Sequence, residues 1–281
     1  MKKKYIVWIF VTLIIVDLFL WLYPTVSDYV NSKTQSQAVA GYEESLADMD
    51  DERTQLLLKE AREYNQRLLS KENRFAFTSD ETDEYKRTLG MSRGIIGILT
   101  IDKIDVKLPI YHGTDEGVLQ VGLGHIPGTS LPVGGEGTHA FITGHTGLPS
   151  STLFTNLNRL TEGDEFSLYV LGETLRYRVD NIQKVRPNEA RALNIDPQKD
   201  YCTLVTCYPY GINNKRLLVR GHRVAETTST IIAAERAALA GNAQQVDKGS
   251  VILIFTIPVL PILIVYIALK CRRIQTGGIA Q

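Results

Sequence analysis

The chain has 281 residues, with 31 basic and 31 acidic side chains and a formal net charge of zero. This balance argues against a nucleic-acid partner, because nucleic-acid binding relies on an excess or a stripe of basic charge. An apolar share of 44% is typical of a folded chain. Three cysteines are too few for a disulfide scaffold, and no Cys/His cluster has the spacing of a zinc site.

Two apolar segments have the length of membrane spans. Residues 5–23 contain a single charge, Asp17, and residues 251–269 contain none. Each has about the 20 residues that a helix needs to cross a bilayer. A cleaved signal peptide is the alternative for the first segment, since a basic cluster at residues 2–4 precedes it. Its apolar part exceeds the roughly 7–15 residues of signal peptides, which favours an uncleaved anchor.

Basic residues flank both spans and predict their orientation. Residues 2–4 precede the first span, and Lys270, Arg272 and Arg273 follow the second. Basic flanks stay in the cytoplasm, so residues 1–4 and 270–281 are predicted to be cytoplasmic. Residues 24–250 are then predicted to lie on the outer face of the membrane.

The outer segment changes pattern along its length. Residues 24–72 are predicted to form a helical stalk, because apolar side chains recur every three or four residues. Residues 73–93 are polar and acidic and are predicted to form a loop. Residues 225–250 suit a polar linker helix that leads to the second span.

Residues 94–224 are predicted to form a domain of short strands. Seven β-rich runs are separated by Gly, Pro, Asn or Asp. The runs are GIIGILTI, VKLPIYHG, HAFITGH, EFSLYVLG, TLRYRVDNIQKV, CTLVTC and RLLVRGHRV. Gly172-Glu173 is predicted to be the centre of a hairpin. Many short strands and few helices predict a mainly β fold, either a closed barrel or a sandwich.

Two cysteines share one predicted strand, YCTLVTC. Five residues along a strand span about 16 Å, so Cys202 and Cys207 cannot form a disulfide while the strand persists. Their odd separation places them on opposite faces. Cys202 is predicted to be a buried apolar filler. Cys207 ends the strand and precedes a turn, where a reactive thiol is accessible.

Arg216 is predicted to lie opposite or next to Cys207. The turn YPYGINN connects the two strands, and a hairpin centred near 211–212 pairs these two residues. A guanidinium in this position would favour the thiolate and could donate hydrogen bonds to an oxyanion. Without the cysteine, a solvated strand arginine would be the better interpretation of Arg216.

A thiol nucleophile usually has an imidazole partner. His145 follows an apolar strand and lies in a glycine-rich loop, but His112 and His125 also lie beside glycines. His139 begins the strand that His145 ends, about 20 Å away, and could not share its site. The residues alone therefore indicate a cysteine enzyme without deciding between the three histidines.

Three motifs in order resemble the sortases, the cysteine transpeptidases of Gram-positive cell surfaces. They are IDKIDVKLPIYHGT at 101–114, FITGHT at 141–146 and TLVTCYPYGINNKRLLVRGHRV at 203–224. The resemblance covers about residues 94–224 and implies a sortase-type barrel of about eight strands. It implies Cys207 as the nucleophile, His145 as the general acid and base, and Arg216 as the residue that stabilises the oxyanion.

The PYGINNKRLLVRGHR stretch and the two spans resemble class C, the sortases that polymerise pilins. Class C members usually carry a lid with an Asp-Pro-aromatic motif. Residues 73–92 lack it, although Phe77 and Asp80 are present. The lid is therefore predicted to be degenerate or absent. Tyr208 occupies a position where class C members commonly have Thr.

The resemblance implies substrates and partners as well. An LPxTG-like sorting signal would form a thioester with Cys207, and a pilin lysine would then accept the acyl group. No metal or organic cofactor is required. Attachment of proteins to a cell-wall precursor amine is the alternative function, and a non-catalytic membrane scaffold is a distant one.

Overall fold

The structure is a computed structural model that describes residues 2–91, 94–187, 189 and 194–224. These residues belong to one compact unit, Met1–Ala225. Three predicted segments lie outside the described residues: the linker helix at 225–250, the span at 251–269 and the tail at 270–281.

The first helix, α1 (Lys2–Ala47), joins the predicted first span to the predicted stalk without a break. Its apolar part begins at Tyr5, and within the described part of the chain it is the one helix long and apolar enough to cross a membrane. Pro24 lies inside the helix, directly after the apolar segment. A single rod of 46 residues therefore connects the apolar segment to the stalk.

The second helix, α2 (Asp51–Leu69), is amphipathic and packs on the main core. Its N-terminus is capped by Asp50, whose side chain accepts a hydrogen bond from the Arg53 amide at 2.6 Å. The buried side chains recur every three or four residues and include Leu57, Leu58, Ala61, Tyr64 and Leu68. The helical prediction for this part of the stalk agrees with the element found there.

The loop prediction for residues 73–93 is wrong in its central part, which forms helix α3 (Ser79–Arg87). Thr78 and Glu81 form a capping box, in which each side chain accepts a hydrogen bond from the other residue's amide. Tyr85 is the buried residue of this helix, and its hydroxyl accepts a hydrogen bond from the Gly113 amide at 3.0 Å. The capping box and the buried Tyr85 ring therefore stabilise a helix that has no stripe of apolar residues.

Eight strands close into a barrel in the order β1-β2-β3-β4-β7-β8-β6-β5. Their bounds are β1 Ile95–Ile101, β2 Val106–His112, β3 Leu123–His125, β4 Thr138–Thr143, β5 Glu165–Val170, β6 Glu173–Val185, β7 Asp200–Tyr208 and β8 Lys215–Arg223. A short helix, α4 (Glu116–Val121), separates β2 from β3, and 3₁₀ turns occur at Asp102–Ile104 and Leu157–Arg159. The predicted mainly β, closed barrel is confirmed.

The seven predicted strand runs correspond to seven of these strands. The eighth, β3, has three residues and was not predicted, because LGH carries no alternating pattern. The β5–β6 hairpin turns at Leu171 and Gly172, one residue earlier than predicted, with Val170 paired to Glu173. Both turn residues have positive φ, 47° and 84°, as a two-residue hairpin turn requires.

Two buried histidines act as hydrogen-bonded parts of the fold. The His125 Nε2 lies 2.8 Å from the Ser130 carbonyl oxygen, and its Nδ1 lies 2.9 Å from the Tyr85 hydroxyl. The His139 Nδ1 lies 3.0 Å from the Asn194 carbonyl oxygen, and its Nε2 lies 2.7 Å from the Thr203 hydroxyl. Burial lowers the pKa of His125 to about 3 and that of His139 to about 4.

The stability of the barrel is predicted to fall on mild acidification. Burial also lowers the pKa of His112 to about 4. Unfolded histidines bind a proton near pH 6.5, so unfolding takes up protons as the pH drops from about 6.5 towards 4. The free energy of unfolding therefore decreases through this window. Thermal unfolding of the full chain in detergent, followed by near-UV circular dichroism, measures it. Equal unfolding temperatures at pH 7 and pH 5 would contradict the lowered pKa values of these histidines.

Candidate active site

The barrel order places β4, β7 and β8 side by side. β7 pairs with β8 in antiparallel register, and Cys207 lies directly opposite Arg216. The β7–β8 hairpin is therefore centred between residues 211 and 212, as the sequence predicts. Cys207 lies within β7, one residue before the strand ends at Tyr208.

The segment that carries His145 is tied to β7 just before Cys207. β4 and β7 are parallel, with Thr143 opposite Val205. The Gly144 amide donates to the Val205 carbonyl at 3.1 Å, and the Thr206 hydroxyl donates to the Gly144 carbonyl at 2.7 Å. If the pairing of Thr143 with Val205 is extended by two residues along both segments, His145 lies level with Cys207.

The imidazole of His145 is largely enclosed, with a side-chain exposure of 29%. The backbone carbonyl of His145 accepts a hydrogen bond from the Phe154 amide at 3.0 Å, which closes the loop after β4. Its Nε2 is buried and has no hydrogen-bond partner among the described residues. A buried polar atom without a partner is uncommon in folded proteins, and it makes the imidazole a candidate functional group.

Glu116 is an acidic neighbour of His145 that the sequence analysis did not single out. Its Oε2 lies 3.9 Å from the His145 Nε2, and its Oε1 accepts a hydrogen bond from Gln120 at 2.6 Å. The carboxylate is 73% exposed, so solvent screens its effect on the imidazole. Glu116 lies in a short helix 29 residues before His145, and no motif in the sequence connects the two residues.

Arg216 is held against the hairpin turn. Its Nη1 donates to the carbonyls of Asn213 and Lys215, at 3.3 and 3.1 Å. The bonds use one nitrogen of the guanidinium, whose planar fork carries further donors. The turn therefore orients the arginine that pairs with Cys207 across the two strands.

The face of the sheet that carries Cys207 continues into an apolar strip. Cys207, Val205 and Thr203 alternate with Cys202 and Leu204, which belong to the barrel core. Phe141, Val205 and Leu218 form a separate buried cluster on the outer face. A cavity of about 450 Å³ continues beyond this strip, and its lining includes His139, Thr203 and Arg220.

His112 and His222 lie in other parts of the barrel. A cavity of about 580 Å³ is lined by α3 residues, among them Tyr85, together with His112 and Asp115. His222 lies on β8, six residues from Arg216, with Nδ1 at 3.8 Å from Asp180. Across the described ranges, the structure groups no three His, Cys, Asp or Glu residues around a possible metal position.

The two strand cysteines are predicted to differ in reactivity. Cys202 is fully buried, and burial raises the pKa of its thiol well above the ordinary range, whereas Cys207 is partly exposed. Because the thiolate is the reactive form, an alkylating reagent should modify Cys207 in the folded chain and Cys202 only after denaturation. Peptide mass spectrometry reads both sites in one sample. Equal labelling of Cys202 in the folded chain would contradict the burial.

Comparison with known proteins gives one consistent family. A family model described as "Sortase domain" matches residues 99–224. Sortase D of Bacillus subtilis is 30% identical over 131 residues, which cover 46% of this chain and 63% of that protein. The chain thus spans less than two thirds of the length of this curated relative.

Solved structures are similar over more of the chain. Sortase C1 of Streptococcus agalactiae is 44% identical, with a TM-score of 0.66, and the match covers 68% of this chain and 100% of that one. Sortase C of Clostridium perfringens with the C-terminal cell wall sorting motif is 40% identical, with a TM-score of 0.61. That match covers 68% of this chain and all of the other.

Proposed function

Because this chain belongs to the sortase family, whose members are cysteine transpeptidases, we propose that it cleaves an LPxTG-like sorting signal and transfers it to a lysine of a pilin. Several of its structural neighbours are class C sortases. The observation that carries the proposal is the strand register. Cys207 lies opposite Arg216, and the pairing of β4 with β7 ends at Thr143 and Val205, two residues before His145 and Cys207.

In the first step, the Cys207 thiolate attacks the threonine carbonyl carbon of the sorting signal. The negative charge that develops on the carbonyl oxygen is stabilised by hydrogen bonds from Arg216. As the threonine–glycine bond breaks, protonated His145 donates its proton to the departing glycine amine. The products are a thioester between Cys207 and the threonine, and a free glycine-terminated fragment.

In the second step, an amine attacks the thioester carbon. Neutral His145 takes the proton of the attacking amine, and the Cys207 sulfur leaves as the thiolate. If the amine belongs to a pilin lysine, the product is an isopeptide bond between two pilin subunits. In both steps the catalytic side chains belong to this chain, and the scheme requires no cofactor.

Membrane anchoring belongs to the same proposal. The apolar segment of α1 suits an anchor, and the second anchor at 251–269 and the outward orientation of the barrel stay predictions from hydropathy and charge. If the enzyme and its substrates are anchored in the same membrane, the effective concentration of the substrates at the active site is raised.

A housekeeping sortase, which uses a cell-wall precursor amine, is the second function to test. The absence of an Asp-Pro-aromatic motif from residues 73–92 favours it, because that motif marks the class C lid. The two predicted spans favour the pilin polymerase. A competition between a labelled pilin and a peptidoglycan-type amine for the acylated enzyme distinguishes the two acceptors.

Replacement of Cys207 tests the nucleophile. The Cys207→Ala chain should form no acyl adduct with an LPxTG peptide, whereas Cys202→Ala, the matched control, should keep it. Intact-protein mass spectrometry after incubation with the peptide measures the adduct. Peptide cleavage by the Cys207→Ala chain would refute the proposed mechanism.

Replacement of Arg216 tests the oxyanion contact. A lysine keeps the charge but lacks the planar fork, so Arg216→Lys should lower kcat for peptide cleavage by about 10²-fold. Arg178→Lys is the matched control, because Arg178 is an exposed strand arginine paired with Glu165. Its rate should stay close to that of the unmodified chain. An equal rate for both variants would make Arg216 a solvated strand arginine.

A further inference from the structure

The proposed mechanism leaves the tip of the β7–β8 hairpin without a role. Tyr210 and Ile212 project from this turn, each with 68% of its surface exposed. Exposed apolar side chains of this size usually mark a contact with a partner or a membrane when they cluster. The hairpin directly follows Cys207, so the surface it contacts lies beside the site.

A polar clamp joins the membrane helix to the loop that follows His145. Asp28 accepts hydrogen bonds from the Thr152 amide and hydroxyl, at 2.8 and 3.1 Å. Asn31 donates to the Ser150 carbonyl at 2.6 Å, and Gln35 donates to Ser151 at 3.0 Å. Residues 28, 31 and 35 recur at spacings of three and four, so they lie on one face of α1.

The clamp lies close to the end of the apolar segment. At a rise of 1.5 Å per residue, Asp28 is about 7 Å and Gln35 about 18 Å beyond Tyr23 along the helix. Farther from the apolar segment, Val39 and Tyr42 of α1 pack with β1. Of these two regions of contact, the loop at 150–152 lies nearer to the apolar segment.

The hairpin tip packs against the same loop. A Cβ atom at Gly147 would lie 2.8 Å from the Tyr210 ring, so the ring rests on the Gly147 backbone. Gly147 is three residues from Ser150, and three residues span at most about 10 Å. The Tyr210 ring therefore contacts a residue that lies within about 10 Å of Ser150 in the clamp.

The chemistry of the tip suits a lipid headgroup layer. Tyrosine is enriched at this layer, and α1 exposes Tyr29 directly after Asp28 of the clamp. Two exposed lysines flank the hairpin: Lys215 follows the turn, and Lys184 lies over the Tyr208 ring at 4.5 Å. Lysines near a membrane surface favour anionic lipids.

We propose that the β7–β8 hairpin tip docks on the bilayer that holds α1, with Tyr210 and Ile212 at the depth of the lipid headgroups. The acyl-transfer site then faces the membrane surface, where a substrate with its own membrane anchor presents its sorting signal. This inference rests on the membrane anchoring in the proposed function, and not on the acyl-transfer chemistry.

The test uses the full chain in vesicles of phosphatidylcholine and phosphatidylglycerol. The two native tryptophans, Trp8 and Trp21, are replaced by phenylalanine, and Ile212→Trp supplies a single fluorophore. Gln198→Trp in the same background is the matched control, because residue 198 is exposed and precedes the opposite end of β7. Brominated phosphatidylcholine quenches tryptophan by contact within the bilayer.

Docking predicts that brominated lipid quenches the fluorophore at 212 several-fold more strongly than the one at 198. Equal quenching at the two positions would overturn the inference. So would an emission at 212 that responds to an LPxTG peptide and not to brominated lipid, because the tip would then contact the substrate. Tyr210→Trp provides a second reporter if the variant at 212 does not fold.

Acyl-adduct formation with soluble peptide is measured in the same samples by mass spectrometry. A chain that is acylated but not quenched at 212 retains the proposed function and loses the docking. A chain that is quenched but not acylated retains the docking and loses the proposed function.

Discussion

The register of β7 against its two neighbours is the constraint on which the proposed chemistry depends. Side chains alternate between the two faces of a strand, so a slip of one residue moves every side chain to the other face. In the observed register, Cys202 and Leu204 point into the core, while Cys207 lies opposite Arg216 on the outer face. A slipped strand would bury the proposed nucleophile and expose the other cysteine. The packing of the core therefore also selects which thiol can react.

Hydrogen bonding identifies two histidines as parts of the fold. It does not by itself choose between His112 and His145, because both ring nitrogens of His112 are also buried without a hydrogen bond among the described residues. His125 and His139 use both ring nitrogens in buried hydrogen bonds, which favours their neutral form and ties them to the fold. The His145 Nε2 is buried and has no hydrogen bond among the described residues. An unsatisfied buried nitrogen costs about 1–3 kcal/mol in the free protein. A substrate that supplies a partner for this atom would recover that cost on binding.

Local patterns in the sequence were sufficient for most of the barrel and for one side of the site. Alternation and turn residues predicted seven strands, and counting about the YPYGINN turn predicted the pairing of Cys207 with Arg216. His145 was different, because its position depends on a parallel pairing between β4 and β7, which are separated by more than 50 residues. Such a pairing leaves no local signal, and the sortase motifs supplied the choice.

The features that were missed share a physical reason. β3 is too short to alternate, and α3 depends on a capping box and on Tyr85 rather than on an apolar stripe. Glu116 meets His145 only after the barrel closes, and the clamp joins residues about 120 positions apart. Polar contacts at long sequence separation are set by the tertiary fold, so they follow from the closed barrel and not from the sequence pattern.

A disulfide trap measures the convergence of β4 and β7 most directly. Two cysteines bond when their Cα atoms lie within about 7 Å. In a Cys202→Ala, Cys271→Ser background, His145→Cys should form a disulfide with Cys207 on mild oxidation, read as a linked peptide pair by mass spectrometry. The same change at His139 should leave Cys207 free, because this residue is level with Tyr201 at the far end of β7. A thiol at 145 that stays free, or a bond from 139 instead, would contradict the account.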